Sequence, residues 1–169
     1  MTRIPNGMRA TAKVHPTSSN FEHLKGIEEF AEIRQVARRY DDDRGRRFCD
    51  IFGQVTGDIN ITFAYPGVIT AWHAHKLQFD EWFVIKGALK VGLAVRNADG
   101  TYRWRFVSLS EHGGQVLRIL PGVLHGWRNH TTDEAILMYH ISEKYDPVNP
   151  DEIRYSLQEV GADWATATK

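Results

Sequence analysis

Two histidines, His73 and His75, stand one residue apart in the stretch 67–87, GVITAWHAHKLQFDEWFVIKG. Two adjacent carboxylates, Asp80 and Glu81, follow them. Imidazole titrates near neutral pH, and it is also the commonest protein ligand of divalent metals. The stretch therefore allows two kinds of chemistry: proton transfer by a histidine base, or coordination of a metal ion.

These side chains act together only if a strand positions them. Residues two apart in a β-strand point to the same face, so His73 and His75 project together and Trp72 faces the other way. By the same alternation, at most one of Asp80 and Glu81 enters a pocket. We therefore expect two imidazoles and no more than one of these carboxylates on one side of a sheet.

The elements that surround this strand are short. From about residue 47, apolar runs rich in β-branched and aromatic residues alternate with turn residues, which is typical of eight or more strands in a sandwich or barrel. The stretch LQEVGADW predicts one short helix near the C-terminus. The segment 21–39 stays open, because apolar residues recur there at helical spacing while the following DDDRG is typical of a hairpin turn.

Length and composition limit the classes of protein. A chain of 169 residues with 42% hydrophobic content predicts a single domain, with a core at about 45–145, an N-terminal arm at 1–44 and a C-terminal segment at 146–169. Basic and acidic residues number 21 each, which argues against a nucleic-acid partner. No apolar stretch approaches the roughly 20 residues of a membrane helix. The single Cys49 and the polar N-terminus predict a reducing cytoplasm.

Two motifs carry a resemblance to the cupin superfamily. The spacing GxxxxxHxHxxxxDxxxxxxG at 67–87 resembles the first cupin motif, with Asp80 where glutamate is usual. The stretch GQVLRILPGVLHGWRN at 114–129 resembles the second motif, with Leu120 at its proline position, and supplies His125. The resemblance implies an all-β fold, the double-stranded β-helix or jelly roll, with an internal pocket. The chain adds a short C-terminal helix and an N-terminal extension.

A narrower resemblance covers roughly residues 40 to 164. Segments including EAILMYHISEKYDP and DEIRYSLQEVGADW follow one another as they do in the dTDP-4-dehydrorhamnose 3,5-epimerase family. DDDRGRRF resembles that family's Asp-x-Arg-Gly turn, and HAHK is similar to the dTDP-sugar 3,4-ketoisomerases. The resemblance implies an isomerase without a cofactor that acts on a nucleotide-linked 4-keto-6-deoxy sugar in deoxysugar or cell-surface polysaccharide biosynthesis. It also implies a homodimer whose N-terminal strands cross to the partner.

The same resemblance implies roles for individual residues. His73 matches the histidine that abstracts a proton next to the ketone, and Tyr139 matches the tyrosine that returns one on the opposite face. Arg44 lies in the turn that the family uses near the nucleotide, and Asn60 matches a family asparagine. A proton next to a ketone is weakly acidic, so a base with a pKa near neutrality suits its removal.

Further residues are expected to line the pocket around His73 and Tyr139. His75 and His125 line the same pocket as His73. The rings proposed to shield the reaction from water are Trp72, Trp82, Phe83 and Trp127.

The chain also departs from the family. Asp80 occupies the position of the lysine that stabilises the enolate, and Lys76 is the nearby lysine that could substitute for it. The aspartate that pairs with the catalytic histidine in the epimerases corresponds here to Leu157. These departures favour a related epimerase or isomerase over strict rhamnose-pathway 3,5-epimerase activity.

Two other interpretations stay open. In the first, His73, His75, Asp80 and His125 bind iron, manganese, nickel or zinc in a metal-dependent cupin enzyme. In the second, the protein is a cupin that binds a small molecule without catalysis, and Tyr139 has a structural role only.

Overall fold

The computed structural model describes residues 26–165 and contains twelve β-strands and one short helix. The elements are β1 (Ala31–Gln35), β2 (Arg38–Asp42), β3 (Gly45–Cys49), β4 (Asp58–Ala64), β5 (Ile69–Ala74), β6 (Asp80–Lys86), β7 (Ala88–Arg96), β8 (Tyr102–Ser110), β9 (Gln115–Ile119), β10 (Leu124–Asn129), β11 (Ala135–Ile141), β12 (Ile153–Arg154) and α1 (Leu157–Val160). Within residues 26–165, no helix is long and apolar enough to span a membrane.

The strands form two five-stranded antiparallel sheets and a separate hairpin. The first sheet has the order β1-β9-β6-β11-β4, and the second has the order β12-β5-β10-β7-β8. Alternate residues of both sheets, such as Trp82 and Leu137 in the first and Leu89 and Val91 in the second, bury one common apolar core. The predicted all-β jelly roll is confirmed, because two sheets with apolar inner faces are stable only when they cover each other.

A second core lies on the outer side of the second sheet. Trp72, Ala74 and Leu124 pack there against Val160 and Trp164 of the C-terminal segment. The segment reaches this face because the N–H of Tyr155 donates to the carbonyl of Trp72 and the N–H of Trp72 donates in return. The C-terminal segment is therefore part of the folded domain and covers the back of the strand that carries His73 and His75.

The short helix predicted around LQEVGADW is confirmed as α1. Ser156 caps its N-terminus in a capping box with Glu159, whose side chain accepts the N–H of Ser156. Gly161 ends the helix in the left-handed conformation, with a φ of 68°.

The N-terminal region contains a strand and a hairpin. β1 lies beside β9 at the edge of the first sheet, so the segment 31–35, expected in the arm, belongs to the barrel. β2 and β3 pair only with each other among the described strands, around the hairpin turn that DDDRG predicts. Residues 1–25 of the predicted arm and 166–169 of the C-terminal segment lie outside the described residues.

Candidate active site

A cavity between the two sheets consists of two adjoining chambers. The chamber named inner, of about 420 Å³, is lined by the core residues Trp82, Trp127 and Leu137, and the chamber named outer, of about 790 Å³, is lined mainly by residues 141–153. Four side chains line both chambers: His73, Asp80, Tyr139 and Glu152. They come from β5 in one sheet, from β6 and β11 in the other, and from the segment just before β12. These four residues therefore mark the centre of the cavity.

The ring of His73 lies beside two further histidine rings. His73 and His75 leave β5 on the same face, as their spacing predicts, and His125 is the partner of His73 on β10. The ring centroids of His73 and His125 are 4.2 Å apart, and each lies 5.3 Å from the ring of His75. The strand pairing thus brings together both histidines of the first motif and the histidine of the second.

Backbone carbonyls orient two of these rings. The Nδ1 atom of His125 contacts the carbonyl oxygen of Val123 at 2.9 Å, and the Nδ1 atom of His75 contacts the carbonyl oxygen of Asp151. A carbonyl oxygen only accepts hydrogen bonds, so Nδ1 carries a proton in both rings. The buried Nε2 atom of His125 has no hydrogen-bond partner. His75 lines the outer chamber, whereas His125 is buried beside His73 and lines neither chamber, which corrects its predicted place in the pocket lining.

Asp80 is the carboxylate that enters the cavity. Its oxygens accept hydrogen bonds from Gln78 Nε2 at 2.7 Å and Trp82 Nε1 at 3.1 Å. Its carboxylate lies 3.6 Å from the Nε2 atom of His125 and 3.9 Å from that of His75. Burial raises the pKa of Asp80, but the interactions with these two histidines and with Gln78 outweigh it and lower the pKa. Asp80 is therefore an anion beside three imidazoles.

Glu81, the neighbouring carboxylate, points to the opposite face of β6. It is fully buried there, with one oxygen 3.1 Å from Arg118 and 3.3 Å from Arg34, and the other 3.0 Å from Nδ1 of His140. The expectation that only one of the two carboxylates enters the pocket is confirmed.

His73 is uncharged in this environment. The pKa of its imidazole is lowered to about 2, mainly by burial and also by the neighbouring His125 and His75, which disfavour a positive charge, while Asp80 acts in the opposite direction. A neutral imidazole has a free lone pair at physiological pH. The neutral form is the one that a general base needs and also the one that binds a metal, but a pKa of about 2 lies well below the near-neutral value expected of the base.

The donor set fits a divalent metal ion. His73, His75, Asp80 and His125 each offer one ligand atom, and these atoms lie within 4.8 Å of one another. Three imidazoles and a carboxylate suit zinc, nickel, iron or manganese. Hydrogen bonds from Nδ1 of two of the rings to carbonyls are the kind of outer contact that orients histidine ligands.

Tyr139 faces the three histidines from the other sheet. It lies on β11, where it pairs with Asn60 on β4, and Asn60 lines the outer chamber. His73 lies on β5 of the opposite sheet and lines the same two chambers. A ligand between them is therefore exposed to an imidazole on one side and a phenol on the other.

The aromatic residues expected around the pocket divide between its two sides. Trp82 and Trp127 line the inner chamber. The prediction for Trp72 is corrected: its ring is buried in the second core, 5.1 Å from the ring of Trp164. Phe83 also lies elsewhere, 5.3 Å from Phe48 on the outer side of the first sheet. The strand alternation explains both positions, because each residue neighbours one that faces the cavity.

The two predicted cationic residues are exposed. Lys76 lines the outer chamber. Arg44 lies in the β2–β3 turn, 2.7 Å from the carboxylate of Asp42, and lines neither chamber. A contact between Arg44 and a substrate stays a prediction that requires a second copy of the chain.

The sequence interpretation missed Asp151 and Glu152. Both lie in a polar stretch, DPVNPDE, that is typical of a surface loop, and neither belongs to a cupin motif. Leu157, at the position of the family's aspartate, begins α1 instead. Glu152 lines both chambers and Asp151 lines the outer one, and Oε1 of Glu152 lies 2.5 Å from Nε of Arg154.

Comparisons with known proteins agree with this fold. Residues 40–153 match the family model described as polysaccharide biosynthesis C-terminal domain. The spore coat polysaccharide biosynthesis protein SpsL of Bacillus subtilis is 29% identical over 141 residues, which cover 76% of this chain and 91% of the relative. The probable low-salt glycan biosynthesis epimerase Agl13 of Haloferax volcanii is 31% identical over 108 residues, 61% of this chain and 69% of the relative.

Solved structures share the architecture. A dTDP sugar isomerase from Desulfovibrio desulfuricans G20 superposes with a TM-score of 0.68 at 20% identity, covering 82% of this chain and 92% of the other. The dTDP-4-dehydrorhamnose 3,5-epimerase of Sulfolobus tokodaii gives 0.64 at 21% identity, covering 80% and 86%. These structures confirm the predicted jelly-roll fold. The chain belongs to the polysaccharide biosynthesis C-terminal domain family.

Proposed function

We propose that the protein is an epimerase or isomerase that acts on a nucleotide-linked 4-keto-6-deoxy sugar in polysaccharide biosynthesis. The observation that carries this proposal is the placement of His73 and Tyr139 on opposite sheets around one cavity. The relatives support the sugar class, since one is named a glycan biosynthesis epimerase and another a polysaccharide biosynthesis protein.

The two residues suit proton transfer at the carbon next to a ketone. Neutral His73 takes the proton, and the electrons of the broken C–H bond form an enolate. Tyr139 returns a proton to the same carbon from the other face, which inverts the centre. The tyrosinate then regains its proton from water, and the imidazolium of His73 releases one, so the site returns to its starting state. Trp82 and Trp127 limit the access of water from the inner chamber.

The diphosphate of such a substrate needs cations, and the lining of the outer chamber has an excess of carboxylates. Among the described residues that line this chamber, five carboxylates outnumber two lysines: Asp80, Glu143, Asp146, Asp151 and Glu152 against Lys76 and Lys144. Guanidinium groups bind phosphate oxygens in pairs. We therefore propose that a second copy of the chain supplies the cation, and that Arg44 in the β2–β3 hairpin is the residue that does so.

Two features support a homodimer. The β2–β3 hairpin pairs with no other described strand, and an isolated two-stranded hairpin is only marginally stable in water. The outward residues of the edge strand β4 are apolar and exposed, with Ile59 at 51% and Ile61 at 55% of full exposure. An apolar strand at a sheet edge favours association with another chain.

A second candidate, a metal-dependent enzyme, is favoured by the convergence of four ligand atoms within 4.8 Å of one another. A divalent ion held by His73, His75, Asp80 and His125 would supply a Lewis acid beside the substrate. Metal analysis of untagged protein separates the two candidates. Near-stoichiometric metal after dialysis against a chelator would contradict the metal-free proton transfer, and full activity of metal-free protein would support it.

The proposed activity is tested with dTDP-4-keto-6-deoxyglucose as the substrate and proton NMR of the sugar as the readout. We expect conversion to an epimer or ketoisomer by the native chain, and none by His73→Asn. The matched control is His130→Asn, because His130 is an exposed histidine outside the cavity. Tight binding of the nucleotide sugar without any conversion would instead identify a non-catalytic binding protein.

A further inference from the structure

Asp151 contacts the turn between β5 and β6 from a distant part of the chain. Its Oδ1 atom accepts the backbone N–H of Lys76 at 2.9 Å, and its Oδ2 atom accepts those of Leu77 at 2.8 Å and Gln78 at 3.0 Å. Three consecutive N–H groups thus donate to one carboxylate. This turn directly follows the strand that carries His73 and His75, and it leads to Asp80 on β6.

The backbone of Asp151 contacts the site directly. Its carbonyl oxygen accepts the hydrogen bond from Nδ1 of His75. The proton is thereby held on Nδ1, and Nε2 of His75 faces the cavity, 3.9 Å from the carboxylate of Asp80. One residue therefore fixes both the tautomer of His75 and the turn that follows it.

Gln78 of this turn connects Asp151 to Asp80. Gln78, whose N–H is held by Asp151, donates from Nε2 to Oδ1 of Asp80 at 2.7 Å. Two buried side chains of the cavity, His75 and Asp80, are therefore connected to the same distant residue, one through its carbonyl and the other through Gln78.

We propose that Asp151 is a positioning residue of the cavity, which holds His75 in its Nδ1-protonated tautomer and Gln78 against Asp80. The charge of its side chain agrees with this role. Partial burial raises the pKa of Asp151, but the hydrogen bonds from three backbone N–H groups outweigh it and lower the pKa. The side chain is therefore an anion at neutral pH, and an anion accepts several N–H groups more strongly than a neutral group does.

The side-chain carboxylate of Asp151 affects His75, although the hydrogen bond to His75 is made by the backbone carbonyl of Asp151. Residues 153–155 are held on β5 by backbone hydrogen bonds, but Asp151 precedes them, and its own link to the 76–78 turn is through its side chain. Without the carboxylate, the carbonyl is no longer held at hydrogen-bonding distance from His75. The ring then gains freedom to rotate and to change its tautomer.

The first test measures the histidine tautomers by long-range nitrogen–proton NMR of ¹⁵N-labelled protein. In the native chain we expect the proton of His75 on Nδ1. In Asp151→Ala we expect a mixture of both tautomers at His75, while His125, held by the carbonyl of Val123, keeps its signals and acts as an internal reference. An unchanged His75 signal in a folded Asp151→Ala protein would overturn the inference.

A milder variant and a matched control complete this test. Asp151→Asn keeps one acceptor oxygen, so we expect an effect between those of the native chain and Asp151→Ala. This variant keeps the inference testable if Asp151→Ala does not fold. Asp99→Ala removes another carboxylate that accepts a backbone N–H, from Thr101 in the β7–β8 turn, and we expect it to leave His75 unchanged.

The second test is kinetic, and it rests on the proposed function. Small displacements of a catalytic group lower the rate strongly, so we expect kcat of Asp151→Ala to fall about tenfold to a hundredfold with a smaller change in KM. An unchanged kcat beside an altered His75 tautomer would overturn the positioning role. Failure of the native chain to turn over any sugar contradicts the proposed function alone, because the NMR result does not depend on activity.

Discussion

The Nε2 atom of His125 lies 3.6 Å from the Oδ2 atom of Asp80, in the centre of the cavity. The sequence resemblance leaves two roles open for Asp80: a metal ligand, or a substitute in the place of a lysine that stabilises an enolate. In this chain it is an anion that raises the pKa of His73 against the effects of burial and of the other histidines. The carboxylate therefore supports the basicity of His73.

Asp80→Asn is expected to lower kcat by roughly tenfold, because loss of the negative charge makes the imidazole of His73 a weaker base. We expect little change in KM. Steady-state kinetics of metal-free protein measure both constants, with Asp99→Asn as the control in an exposed turn. A native kcat in the Asp80→Asn protein would contradict this role.

Acidification is expected to destabilise the fold. The pKa of His73 is about 2 in the folded chain and near 6.5 when the residue is free, so the unfolded state binds more protons between these values. The free energy of unfolding therefore falls as pH decreases below about 6.5, by up to about 1.4 kcal/mol per pH unit from this residue. Urea unfolding of metal-free protein from pH 7 to 5 measures this slope. A slope that is the same in His73→Asn would show that His73 does not cause it.

The exposed side of β4 is expected to be a dimer interface. Ile61→Asp places a carboxylate in that interface without a partner, which weakens association by about thirtyfold or more. Analytical ultracentrifugation of the native chain and the variant compares their dimer dissociation constants. Val148→Asp is the control, because Val148 is 91% exposed and lies outside the sheets. Equal dissociation constants for the native chain and Ile61→Asp would exclude this face.

Gly92 is expected to be intolerant of a side chain. A Cβ atom there would lie 2.6 Å from the ring of Trp72 and 2.7 Å from the ring of Trp164. Gly92→Ala should lower the free energy of unfolding by about 1–3 kcal/mol, because neither buried ring has room to move. Gly113→Ala is the control, since its new Cβ would meet the flexible end of Gln115. Denaturant unfolding compares the two, and equal losses would contradict the close packing against Gly92.

The strand pattern and the two motifs allowed much of the site to be predicted. Alternation along β5 places His73 and His75 on one face, and the second motif supplies His125 from the neighbouring strand. The same alternation places Asp80 inside and Glu81 outside. Local rules suffice for these residues because each one lies within a strand or, like His75, directly after the end of one.

The remaining features depend on contacts between distant parts of the chain. Asp151 reaches the 76–78 turn across 73 to 75 positions, and its surroundings are typical of a loop. Trp72 packs against Trp164 only because the C-terminal segment returns across β5. The apolar residues at helical spacing before residue 36 instead form a turn at Ile27 and the strand β1, since pairing with β9 outweighs the local pattern.

The most direct test of the central claim follows solvent deuterium into the nucleotide-linked 4-keto-6-deoxy sugar. The native chain should introduce deuterium next to the ketone as it forms product. Tyr139→Phe should still exchange that proton, with little inversion, because the base remains and the opposite donor is lost. His73→Asn should introduce none. Exchange by His73→Asn at the native rate, or no exchange by the native chain, would contradict the assignment of His73 as the base.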